Sequence, residues 1–155
     1  MGRIYTVQFT GVAVTAQQDL FELTAAADKP IRIHEIGLSQ STEVGDAQEE
    51  GLSILLKQGQ TTSGTGGTAP TPIPRDVDDA AAGFAAEVNN TTKASTGTIV
   101  THYAWNWNVR VPFQVIFTPE TRPYAKGQRR LTVELGTTPA DSITMSGYMV
   151  VEEGN

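Results

Sequence analysis

Few side chains in this 155-residue sequence stand where they could do chemistry. Cysteine is absent, which excludes thiolate nucleophiles, disulfides and Cys-based zinc sites. His34 and His102 are the only histidines, each alone within an alternating polar and apolar pattern. A cupin-type metal centre needs two histidines close in sequence, a third elsewhere and a carboxylate, so the set is short. No Gly-x-Ser-x-Gly elbow supports a Ser-His-Asp triad. The run from Gly59 to Gly66 has the glycine richness of a phosphate-binding loop. Thr65, however, stands where a Lys must reach the phosphates, and Pro70, Pro72 and Pro74 forbid the helix that should follow. Asp76, Asp78 and Asp79 offer oxygen to a hard cation such as calcium, but Ala80, Ala81 and Ala82 occupy the next ligand positions. A helix cap or solvated acidic loop is the simpler reading. These residues predict a protein that is not an enzyme, with no cofactor and no metal.

Two features suit recognition better than catalysis. Tyr103, Trp105 and Trp107 alternate with His102, Ala104, Asn106 and Asn108, so one side of a strand is aromatic. That side either fills a core or forms an exposed platform for a sugar or a protein partner; alternation leaves both open. Asn89-Asn90-Thr91 and Asn90-Thr91-Thr92 match the glycosylation sequon, and equally serve as turn residues bonded to nearby backbone. Eleven Lys and Arg against seventeen Asp and Glu, a net charge of −6, argue against a nucleic-acid surface. Arg129-Arg130, the one adjacent basic pair, reads as a solvated edge or an ion pair.

The elements that must position these residues are strands. Period-two alternation puts Tyr5, Val7, Phe9, Gly11 and Ala13 on one side of a first strand, followed by Leu20 to Thr24. Ile31 and Ile33, then Ile36 and Leu38, form a third strand whose phase change implies a bulge at Glu35. Leu52, Ile54 and Leu56 give a fourth, and Phe84 to Val88 is a short strand or one helical turn. Thr98 to Asn108 and Val111 to Phe117 follow, with Pro112 at a bend or an edge. Leu131 to Leu135 and Ile143 to Val151 complete the pattern. About eight antiparallel strands without an amphipathic helix predict an all-β fold over residues 1–155, one jelly-roll-like β-sandwich with an immunoglobulin-like sandwich as the alternative.

Between the fourth and fifth strands lies a polar segment, residues 59–83, loaded with Gly, Thr and Pro. Loops of that length are uncommon in compact domains. Its composition offers no core of its own, so Gly59 to Pro74 is expected to be mobile in the free protein and ordered against a partner. The N-terminus shows no apolar region of a secretion signal, and no apolar run approaches the roughly 20 residues of a membrane span, so a protein made in the cytoplasm with no membrane partner is expected.

Four stretches carry a family likeness: Ile4-Tyr5-Thr6-Val7-Gln8-Phe9-Thr10, His34-Glu35-Ile36-Gly37-Leu38-Ser39-Gln40-Ser41, Val88-Asn89-Asn90-Thr91-Thr92-Lys93 and Pro119-Glu120-Thr121-Arg122-Pro123. Through them the chain resembles the small head decoration, or cement, proteins of tailed bacteriophages and their prophage relatives. The resemblance implies a jelly roll that trimerises and clamps the joints between major capsid subunits on the outer surface of a virion. Its interface is then expected at Arg3, Ile4 and Tyr5 of the first strand and at Gln60, Thr61, Thr62, Thr65, Thr68, Pro70, Pro72 and Pro74 of the long loop. A carbohydrate- or receptor-binding module of a phage tail or fibre, using Tyr103, Trp105 and Trp107, is the alternative function.

Overall fold

The computed structural model describes residues 2–45 and 49–155. Among them there is no helix; eleven strands form two antiparallel sheets that pack as a β-sandwich. They are β1 (Arg3–Val14), β2 (Gln18–Thr24), β3 (Ile31–Gln40), β4 (Gly51–Gln58), β5 (Ile73–Pro74), β6 (Ala85–Asn90), β7 (Val100–Asn108), β8 (Phe113–Ile116), β9 (Tyr124–Ala125), β10 (Arg130–Leu135) and β11 (Ile143–Glu153). One sheet runs β5-β1-β11-β3-β8, with β9 also on β3, and the other runs β6-β2-β10-β4-β7. Among the described residues no strand pairs with its neighbour in sequence. β1 pairs with β11, β2 with β10, β3 with β8 and β4 with β7, so early strands pair with late ones in nested order. The immunoglobulin order, A-B-E-D against C-F-G, is a different one.

Alternation sends one side of each strand inward. Tyr5, Val7 and Phe9 of β1, Ile36 and Leu38 of β3, and Met145, Met149 and Val151 of β11 face Phe21, Leu23, Leu52, Ile54, Leu56, Leu131 and Val133 of the other sheet in one buried cluster. Bulges reset the phase. Glu35 pairs with Val150 and Ile33 with Val151, so the extra residue on β3 is His34, one position before the expected site. On β1 the register shifts between Phe9 and Val12, and Gly11 takes φ 65°, a conformation that costs glycine little. Beyond it Val14 is buried and Ala13 is exposed, which corrects the unbroken Tyr5-to-Ala13 face expected from alternation. The segment near Phe84 is a strand, not a helical turn.

β2 and β10 are buried on both faces: Asp19, Glu22, Thr132 and Glu134 are covered along with their apolar neighbours. Something lies over the outside of that sheet.

Candidate interaction surface

The cover is the long polar loop. Residues 62–68 run antiparallel to residues 88–95 through the bridges Thr62 to Ser95, Thr65 to Thr92 and Thr68 to Val88. Backbone bonds of 2.8–3.0 Å link Thr65 with Thr92 and Thr68 with Val88 in both directions. Beneath this ladder, alternation that points Phe21 and Leu23 inward turns Glu22 outward into it. The Glu22 carboxylate accepts from Ser63 Oγ (2.7 Å), Gly64 N–H (2.9 Å), Asn90 Nδ2 (3.1 Å) and Arg130 Nε (3.0 Å). Gln60, also buried, donates to Thr132 Oγ1 at 2.9 Å. Glu134 accepts from Lys57 (2.7 Å) and Lys93 (3.0 Å). A buried charge is tolerable only when paired and fully hydrogen-bonded, and these partners supply that. Asp19 is less well served: burial, helped by the nearby charges of Glu134 and Glu22, pushes its carboxyl up to about 7 despite the N–H of Ala94 at 2.7 Å.

This arrangement corrects the expectation that a partner must hold the loop. Residues 60–68 are fixed by their own subunit. Composition suggested otherwise because the ordering comes from carboxylates on distant strands, not from apolar area within the segment. The proposed interface residues accordingly divide. Gln60 is buried against Thr132, and Tyr5 is fully buried, donating its hydroxyl to Ala80 O (2.9 Å) and meeting Phe84 edge-on; neither is free for a partner. Arg3, Thr61, Thr62, Thr65 and Thr68 are exposed, and Ile4, Pro70, Pro72 and Pro74 are half-buried. Arg3 pairs with Asp79 at 3.3 Å, and β5 covers the outer edge of β1.

The aromatic side of β7 faces inward, opposite Leu52, Ile54 and Leu56. Trp107 is 2% exposed and donates Nε1 to Val111 O, so the three residues do not form an exposed platform; that reading is corrected. Tyr103 and Trp105 are half-buried, stacked at 5.4 Å over Phe113 and Phe117. β7 ends its sheet, so its outer edge is unpaired among the described residues.

The histidines stay apart. His34 Nε2 lies 2.8 Å from Glu152 Oε2, which holds the Glu152 carboxyl below its usual range, and His102 Nε2 lies 3.1 Å from Gln58 Oε1. Asp76 closes its own turn by accepting from Asp78 N–H, and Asp79 serves Arg3. Among the described residues the carboxylates that do converge are Glu43, Glu50 and Asp141, with oxygens within 4.8 Å of one another. Asn89 and Asn90 are buried, and Asn90 bonds Glu22, Glu87 and Gly67 N–H, so their role here is structural. Sequence reasoning missed Asp19, Glu22, Glu87 and Glu134; the available signal was a row of carboxylates at the polar phase of three strands that had to lie side by side.

On the outside of the other sheet a cavity of about 340 Å³ sits among Gln8, Thr10, Gly37, Ser146 and Tyr148. The Tyr148 ring lies over Gly37, where any Cβ would strike it, and its hydroxyl donates to Glu35. Comparison with known proteins finds no matching family model and no matching curated protein.

Proposed function

We propose that the protein is a structural component of a phage virion that decorates the outside of the head and bridges major capsid subunits as a homo-oligomer, a trimer being the expected form. The observation that carries this reading is the exposed threonine row Thr61, Thr62, Thr65 and Thr68, held on a stiff sandwich by the buried Glu22 network. A partner meeting a polar edge that is already ordered is spared most of the entropy of ordering it. Three such edges in a trimer gain avidity without a new kind of contact. The nested strand pairing supports reading the sandwich as a jelly roll, the form that the family resemblance implies.

Electron microscopy of particles carrying a labelled copy should show density on the head. Heads lacking the protein should assemble and lose their DNA at a lower temperature. Label confined to tails, or heads equally durable without it, overturns the proposal.

A further inference from the structure

The end of the sandwich where β3, β9 and β10 begin and β4 finishes gathers cations in a chain of net charge −6. Arg122, Lys126 and Arg129 lie on the connection from β8 to β10, and Arg32 stands in register with Tyr124, its guanidinium 5.6 Å from that ring. Three open depressions cross this end. The first, about 500 Å³, has Gly59, Arg129 and Arg130 in its wall; the second, about 270 Å³, has Gln58, Gly59, His102 and Arg129; the third, about 290 Å³, has Gln58, His102, Tyr103 and Arg122. Each shares two residues with the next, so they form one groove with Gln58 and Gly59 along its middle. Gln58 is fixed there, donating to Tyr124 O at 3.1 Å.

The cations divide by partner. Arg130 is bound to Glu22, whereas no ion pair among the described residues engages Arg122 or Arg129. Arg122 Nε is buried without a hydrogen-bond partner, a donor left with its desolvation cost unmet. Glu120, in the third depression, is the one carboxylate among the described residues of the walls. We propose that this groove binds an extended, carboxylate-rich peptide segment of a protein partner, with Arg122 and Arg129 receiving successive acidic side chains. Guanidinium forks match carboxylates in both charge and geometry. Three linked depressions with cations at separate points suit an extended chain better than a compact ligand. Tyr103 is already stacked on Trp105 and Tyr124 carries Arg32, so the rings are poor platforms for an acidic sugar. The inference stands apart from the virion reading, because it is tested on the isolated protein.

The probe is a fluorescently labelled peptide of alternating Glu and Ser, titrated by anisotropy. Binding that weakens with added salt is expected, with Arg122→Gln and Arg129→Gln each raising Kd about tenfold. Arg75→Gln, which removes an exposed cation outside the groove, should leave Kd unchanged. Arg129 sits on an exposed turn, so its variant should melt as the parent does and keeps the test valid if Arg122→Gln folds poorly. No binding, equal loss in Arg75→Gln, or tighter binding of an oligogalacturonate of the same charge would each overturn the proposal.

Discussion

The outer faces of the two sheets draw on similar side chains and end in opposite states. Gln8, Thr10, Ser146 and Tyr148 lie on an open face around a water-accessible hollow. Across the sandwich, Asp19, Glu22, Thr132 and Glu134 are sealed under residues 60–68 and 91–95. The difference is in what the polar groups have to do. On the open face water satisfies them, so local bonds such as Tyr148 to Glu35 are optional. Under the loop a polar group is cut off from bulk water and the carboxylates are met by protein donors, with Gln60 Oε1 and Asn89 Nδ2 left unpartnered, so the loop is specified by the sheet beneath it. Polarity alone therefore does not mark a mobile surface.

The comparison is tested most severely by Glu22→Ala. Gly64 N–H and Arg130 Nε lose their acceptor, Ser63 and Asn90 keep only Glu87, and Arg130 loses its ion-pair partner, so chemical denaturation should show a loss of about 3–5 kcal/mol. Limited proteolysis should then cut within residues 59–68, which resist in the parent. Trp107→Ala should lose a similar amount, about 3–5 kcal/mol, through a core cavity, yet leave those residues protected in the folded state. If both variants open the loop equally, it is held by global stability and not by the carboxylates.

A smaller effect is expected from Asp19. Its carboxyl titrates near 7 in the folded protein and at the ordinary 3.8 when unfolded, so between those values the folded state holds more protons. Its contribution to stability therefore falls as pH rises through that window. Asp19→Asn, which keeps an acceptor for Ala94 N–H, should raise the melting temperature at pH 8 and change it little at pH 4. An equal gain at both values would show that charge is not the cause. Smallest should be Tyr148→Phe on the open face, about 1 kcal/mol or less, since water replaces the hydroxyl's bonds to Glu35 and Gln114.

Strands were legible in the sequence because their signal is local. The alternation of Leu131, Val133 and Leu135 or of Leu52, Ile54 and Leu56 needs only neighbouring residues, and the inward side is the apolar one. A bulge is legible only when it breaks a strong pattern. His34 interrupts four isoleucines and leucines and was placed within one residue, whereas Gly11 sits among small side chains that do not reveal a change of face. The loop was misread because its partners are remote: Thr62 meets Ser95, and Ser63 meets Glu22. Nothing within residues 59–68 states that a carboxylate waits beneath them. The groove residue Arg122 was invisible for the same reason, since its unmet donor is a property of assembled surroundings.

The nested pairing also sets a schedule for the chain's synthesis. β1 has its main partner in β11, the last of the described strands, and among the described residues no strand pairs with the one made just before or after it. At typical translation rates the first strand therefore waits roughly 8 to 30 s for its mate. During that interval Tyr5, Val7 and Phe9 have only the two residues of β5 to pair with, and a nascent-chain chaperone that shields apolar segments should find its longest-lived target in β1.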